Sequence, residues 1–213
     1  MKDSGVEWIG KIPKEWITIK VKYVAKDVVT GTTPPGANVK YYSETGLPWF
    51  TPVEIGNTTI IYKAQKYLSA EGRDFVDIIP SESILMVGIG ASMGKVSLAA
   101  VECSKNQQIN AIICNEKIVE CRFLFFCLSV MRDYIFNTTK FTTLPILNQK
   151  ETKNIVVPFP PLAEQTAIAA YLDDKCSKID NNIKTRERLI SKLADYKKSL
   201  IYEVVTGKKE IVS

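Results

Sequence analysis

A chain of 213 residues, 46% hydrophobic and 24% charged, can bury one sizeable core and is too apolar to be a disordered polymer. Histidine is absent, which removes every Cys/His zinc site and every mechanism that needs an imidazole. A net charge of +5, from 28 basic and 23 acidic residues, suits a polyanionic partner without requiring one. The longest apolar runs are about eight residues, far short of a bilayer span of about 20. The opening Met1-Lys2-Asp3-Ser4-Gly5 lacks the apolar stretch of a signal peptide, so the expected location is cytoplasmic, with no membrane partner. Cys103, Cys114, Cys121, Cys127 and Cys176 contain no C-x-x-C pair and read as reduced, mostly buried thiols.

The segment from Trp8 to Trp16 is a turn region punctuated by Gly10 and Pro13, and residues 17–21 then alternate as a strand does. Residues 22–29 fit either a short helix or a second strand. Gly31-Thr32-Thr33-Pro34-Pro35-Gly36 is a loop in which two prolines remove donors while the threonines keep their hydroxyls. A turn at Gly46 leads into a short strand, residues 60–67 are again β-like, and Ser69-Ala70-Glu71-Gly72 is a helical turn stopped by glycine. Strands follow at 83–87, 96–101 and 110–114. Residues 122–136 predict the one good helix of this region, with Phe123, Phe126, Cys127, Val130 and Tyr134 on one face. Short strands with few helices give an α+β domain over 1–157, closed by a stiff proline hinge at 158–161.

Beyond the hinge the period changes. Residues 162–206 predict one long helix, with Glu164 in the first turn to suit the dipole and Thr206-Gly207 as the stop, before a frayed tail at 207–213. Leu172, Cys176, Ile179, Ile183, Arg186, Ile190, Leu193, Lys197, Leu200 and Val204 recur at alternating steps of four and three, the seam of a coiled coil. Such a helix reaches roughly 60 Å at about 1.5 Å per residue and cannot bury its own seam. A partner helix is expected, and a second copy running antiparallel would set two identical domains at opposite ends. Arg186 and Lys197 are the polar entries in the seam; they either restrict register and partner or lay aliphatic stems along it.

Catalytic constellations fail on spacing. Gly88-Ile89-Gly90-Ala91-Ser92-Met93-Gly94-Lys95 has the wrong number of residues before Gly-Lys for a phosphate loop, Val96 replaces the required hydroxyl, and Met93 stands where a dinucleotide fingerprint needs its third glycine. Asp133, Glu151 and Lys153 follow a nuclease-like order, but Asp133 falls within a predicted helix rather than at a strand end. No Asn/Asp-Pro-Pro-aromatic segment marks an amino-methyltransferase, and a histidine-activated nucleophile is impossible.

WIGKIPKEW (8–16), GTTP (31–34), GLPWFTPVEI (46–55), SILMVGIGASMGKV (83–96), NQQINA (106–111) and PFPPLAEQTAIAAYLD (158–173) occur in fixed order, and the last helix ends in LIYEVVTGK (200–208). Together these segments resemble the specificity (S) subunit of type I restriction–modification enzymes, in a half-length form with one target-recognition domain and one conserved helix. The resemblance implies a non-catalytic chain that reads one half of a bipartite site in double-stranded DNA. It also implies docking to methyltransferase (M) subunits and, in systems that have one, a restriction (R) subunit. No cofactor is expected on this chain; S-adenosylmethionine, ATP and Mg²⁺ would belong to the partner subunits. The family's full subunit has two recognition domains and two helices packed antiparallel, so a chain with one of each is either a natural half-subunit or part of a longer polypeptide. The competing reading is a coiled-coil interaction module that binds protein and not DNA.

Base reading needs donors and acceptors on loops or strand ends. Thr32, Thr33, Thr51 and Lys95 qualify from the glycine and proline loops, and Asn106 and Gln107 from NQQ. The stretch 137–154, rich in Lys, Thr and Asn, adds Lys140, Thr142, Thr143, Asn148 and Lys150. Lys63, Gln65 and Lys66 lie in the less motif-like stretch 56–80. The lysines are expected on phosphates, Asn and Gln on adenine. Turn closure by the threonines and interior hydrogen bonding by Asn106 and Gln107 are the competing roles.

Overall fold

The apolar run Ser83–Val87 lies at the middle of the fold. In the computed structural model, which describes residues 1–36, 38–138 and 146–211, every side chain of this strand is buried. Alternation sends Ile84 and Met86 to one apolar layer and Leu85 and Val87 to another. A strand covered on both faces has no polar side, which is why its sequence shows none. The chain divides into two compact units, Met1–Ala169 and Ala170–Ser213.

In the first unit β1 (Lys2–Asp3) pairs with β2 (Lys11–Ile12), and β3 (Ile17–Lys20) follows. A 3-10 turn at Val21–Tyr23 then gives way to β4 (Ala25–Thr30), so the segment open between helix and strand contains one of each. Next come β5 (Tyr42–Ser43), β6 (Leu47–Phe50), β7 (Ile60–Ile61), β8 (Tyr67–Leu68) and the short helix α1 (Ala70–Arg73). The strand expected over 60–67 is therefore two short pieces in different sheets. After β9 (Ser83–Val87) follow β10 (Val96–Ala99), β11 (Ser104–Lys105), β12 (Ile109–Cys114), α2 (Cys121–Ser129), α3 (Arg132–Thr138), α4 (Gln149–Asn154), β13 (Val156–Phe159) and α5 (Leu162–Val205).

The main sheet runs β4-β12-β9-β10-β7, antiparallel except for the parallel β10–β7 pair. A second sheet runs β11-β6-β8-β5. Helix α2 buries Phe123, Leu124, Cys127 and Leu128 in the same cluster as Ile84, Met86, Leu98 and Ile112. Each such side chain contributes about 1.5–3 kcal/mol on burial.

Four expectations change here. The helix over 122–136 is two helices broken at Val130 and Met131. The Ser129 hydroxyl donates to Phe126 O at 2.8 Å and Met131 N to Leu128 O at 3.2 Å, a tightened last turn that rotates Val130 outward to 71% exposure and Met131 inward. The stretch 148–154, expected as part of a polar loop, makes α4, started by a capping box: Glu151 N donates to Asn148 Oδ1 at 3.0 Å and Asn148 N to Glu151 Oε2 at 2.8 Å. The proline hinge is not free either, because Pro158 and Phe159 lie opposite Thr18 and Ile17 in the β13–β3 ladder and Pro160 is buried. Finally, the compact unit ends at Ala169 and not at residue 157.

The first turns of α5 are bonded into this unit. Gln165, in the first turns of α5, is 0% exposed. Its Oε1 accepts from Glu120 N at 3.0 Å and its Nε2 donates to Pro160 O at 2.8 Å. Beside it, Trp16 Nε1 donates to Glu164 Oε2 at 2.6 Å, Trp8 Nε1 to Val156 O at 3.3 Å, and Ala169 is buried. Trp16 thus holds the start of the long helix, and Trp8 holds the strand that leads into it. Gln165→Ala leaves a buried N–H and a buried C=O unpaired and should cost about 2–4 kcal/mol. Urea unfolding followed by tryptophan fluorescence checks this.

The second unit consists of the remaining turns of α5 and the tail. Gly207 takes φ +72° at the helix end, where Gly207 N reaches Val204 O at 3.2 Å and Lys208 N reaches Glu203 O at 2.8 Å. Ile179, Ile183, Ile190 and Leu193 are exposed, Ile190 at 66%, while Leu172, Cys176, Leu200 and Val204 are half-buried. Among the described residues no helix is long and apolar enough to cross a membrane.

Candidate nucleic-acid interface

The glycine run that mimics a phosphate loop is a packing device. A Cβ on Gly88 would sit 2.6 Å from Leu147 O and 3.0 Å from Asn110 Nδ2, and Gly94 (φ +82°) has Arg132 Cα at 3.2 Å from the same position. Asn110 is buried and fully used: its Nδ2 donates to Leu147 O at 2.8 Å and Thr152 Oγ1 at 2.9 Å, and its Oδ1 accepts from Thr30 Oγ1 at 2.8 Å. The loop is thereby fixed between the main sheet and α4. Lys95 lays its stem against Gly56, where an added Cβ would meet it at 2.9 Å. The nuclease-like trio is dispersed, since Glu151 is spent on the α4 cap and Lys153 pairs with Asp27 at 3.3 Å. Among the described residues no group of three or more acidic or cysteine side chains could hold a metal ion.

Several polar candidates instead meet around one indole. Trp49 N donates to Lys66 O at 2.9 Å, and its Nε1 donates to Thr32 O at 3.1 Å. On one side Thr32 Oγ1 donates to Phe75 O at 3.3 Å, and the exposed Thr33 hydroxyl donates to Gln107 Oε1. On the other, Glu54 gathers Thr51 N at 3.0 Å and Thr51 Oγ1 at 2.6 Å on one oxygen and Gln65 N at 3.0 Å on the other. Lys66 Nζ stands 5.8 Å from the Tyr42 ring and 6.0 Å from the Trp49 ring, beside a shallow cleft lined by Val39, Tyr42, Ser43, Gln65, Lys66 and Tyr67. Thr32, Thr33, Thr51, Gln65, Lys66 and Gln107 are therefore linked by contacts, with exposed Lys63 adjacent in sequence.

Other candidates have different places. Asn106 is 8% exposed, and both ends of its amide hold Gln108, at 3.1 Å each. It shapes the loop that presents Gln107. Asn148 is the α4 cap, on a helix packed against β4, where Lys150 is exposed. Lys140, Thr142 and Thr143 lie outside the described residues.

Residues 13–192 match the family described as "Type I restriction modification DNA specificity domain". The chain belongs to that family. Among curated relatives, the type I restriction enzyme MjaIX specificity subunit of Methanocaldococcus jannaschii is 29% identical over 194 residues, 87% of this chain and 43% of its own length. The EcoBI specificity subunit of Escherichia coli is 26% identical over 157 residues, 72% of this chain and 31% of its own. The chain thus spans less than half the length of these relatives. Two solved structures share the fold: one from a study of complex assembly and conformational transition in a type I R-M system (TM-score 0.74, 20% identity, 91% of this chain and 46% of that one). The other is the HsdS subunit of Thermoanaerobacter tengcongensis (TM-score 0.62, 21% identity, 81% and 40%).

Within this specificity domain one residue escaped sequence reasoning. Lys105, next to the NQQ loop, is 0% exposed and its Nζ has no hydrogen-bond partner among the described residues. Burial pushes its amine down to about 8, against smaller opposing effects of Asp77 and Cys103. A lysine in a loop-flanking strand gives no sequence signal of burial. Because the folded-state value lies below the unfolded one, the penalty is absent above about pH 10.5, grows as pH falls to about 8 and is constant below that. Lys105→Met should therefore stabilise the fold at pH 7 by about 1–3 kcal/mol and abolish the lysine's share of the stability rise between pH 8 and 10.5. Unfolding curves of both proteins across pH 7–10.5 test this.

Proposed function

We propose that this chain is the address-reading component of a type I restriction–modification complex. It would read one half of a bipartite double-stranded DNA site, pair with a second copy through α5, and dock methyltransferase and, where present, restriction subunits. Catalysis, and with it S-adenosylmethionine, ATP and Mg²⁺, would rest with those partners, and the setting would be the cytoplasm. The observation that carries the DNA-reading half is the set of polar and cationic side chains joined through Trp49. Thr33 and Gln107 offer donors and acceptors suited to base edges, and Lys63 and Lys66 offer charge to phosphates.

The seam itself favours an antiparallel pair. In a parallel pair Arg186 and Lys197 would each face its own twin, burying two like-charge contacts. In the antiparallel register centred near residue 188, Arg186 meets Ile190 and Lys197 meets Ile179 of the second copy. The remaining layers are then Ile183 with Leu193, Cys176 with Leu200 and Leu172 with Val204. Flanking the seam, Lys175 faces Glu203. The 44 residues of α5 span about 66 Å at 1.5 Å each. Antiparallel pairing puts the two helix starts, and the recognition units they are built into, at opposite ends, a reach that suits half-sites within two turns of B-DNA at about 34–36 Å per turn.

Two experiments test this reading. In the assembled complex, Lys66→Ala should weaken duplex binding by on the order of 1 kcal/mol for every sequence and reduce the salt slope by about one, whereas Gln107→Ala should relax preference at one base position. Affinity insensitive to salt would favour the protein-only interaction module instead. For the pair, Leu200→Cys should cross-link to Cys176 of a second copy under mild oxidation. The unsubstituted chain should not cross-link at Cys176, because the two copies of that residue would be about 36 Å apart. Ready Cys176–Cys176 cross-linking would mean a parallel pair.

A further inference from the structure

The five cysteines are not equivalent. Cys103 and Cys127 are buried singly, and burial pushes each thiol up to about 12. Cys176 stands on the long helix and is half-buried. Cys114 and Cys121 differ from all of these, because Cys114 Sγ lies 2.9 Å from Cys121 Sγ. A disulfide bond is about 2.05 Å, so closure needs an approach of about 0.9 Å. Both cysteines stand at the ends of elements: the β12–β4 register shifts between Ile113 and Cys114, where β12 ends, and Cys121 opens α2.

The pair also has a route to solvent and a mechanical connection. Cys121 lines a surface cleft with Ile60, Tyr62, Glu82, Glu120 and Arg122, wide enough for a small oxidant. Its Sγ donates to Glu82 O at 2.8 Å, and Glu82 has φ +61°, the one left-handed non-glycine among the described residues. The segment between the cysteines ends at Glu120, whose N–H donates to Gln165 Oε1, the group that holds the start of the long helix.

We infer that Cys114 and Cys121 form an oxidisable dithiol, a modification site at which a hydroperoxide produces an intrachain disulfide that clamps segment 115–120 and, through Glu120, the anchor of α5. With hydrogen peroxide the cleft-lining Cys121 thiol attacks one oxygen, the O–O bond breaks, and a sulfenic acid and one water result. The Cys114 sulfur then attacks the sulfenic sulfur, the S–S bond forms and a second water leaves. Two thiols have lost two electrons and two protons, and the peroxide has accepted both. Hydrogen bonding with Cys114 and then burial push the Cys121 thiol up, so Cys121 rests protonated and the first step is slow. The second is fast because the resolving sulfur is already in contact. A thiol pair with this profile answers sustained oxidant rather than brief exposure.

The test uses the full chain, reduced and then treated with hydrogen peroxide, followed by thiol titration in denaturant and tryptic mass spectrometry without reductant. Five titratable thiols should fall by two. Cleavage after Lys117 separates the two cysteines, so peptides 106–117 and 118–122 should appear joined. Exchange of the Glu120 amide should slow severalfold on oxidation. The Cys176→Ser chain should behave identically, and Cys121→Ser should give no joined peptides. Retention of all five thiols, first oxidation at Cys176, or unchanged exchange at Glu120 would overturn the inference. None of these readouts involves DNA, so they stand or fall apart from the address-reading proposal.

Discussion

Gln165 has a primary amide with no access to water, satisfied at one end by Glu120 N–H and at the other by Pro160 C=O. An unpaired amide in that position costs several kcal/mol, so the start of α5 is stable only with the chain before α2 and the end of β13 packed around it. This makes the first turns of a long helix part of a folded core. The two tryptophans of the opening segment complete the clamp from 148 residues away in sequence.

Trp49 has the corresponding role on the face proposed to read DNA. It is buried, so it costs little to hold still, and its two N–H groups tie the threonine loop to Lys66, just before β8. Glu54 accepts from the Thr51 N–H and hydroxyl on one carboxylate oxygen and from the Gln65 N–H on the other, which stiffens the turn. Loops pinned in this way can vary in side chain without losing position. That property suits a surface whose task is to discriminate between base sequences.

Features with a strong period were legible from sequence. The long helix α5 carries an unbroken four-three period, and residues 84–87 of the buried strand are all apolar, so both elements follow from side-chain pattern alone. What escaped were features decided by individual hydrogen bonds. The capping box at Asn148 and Glu151 carried a recognisable N-x-x-E signal, but the surrounding polarity pointed to a DNA-contacting loop. Asn106 has the chemistry of a base reader and spends it on Gln108. Two-residue strands such as β7 and β8 are too short for any alternation, and the break after Ser129 depends on one hydroxyl. Lys105 is buried against every compositional expectation for lysine.

The proposed function rests on this polypeptide choosing the sequence while its companions make and break bonds. Single-molecule mapping of methylated adenines in DNA from source cells, with and without the gene for this chain, tests that directly. The account predicts that methylation at one interrupted, two-part motif disappears when the chain is removed and returns when it is restored, while other methylated motifs stay as they were. A methylation map identical in both strains would contradict it.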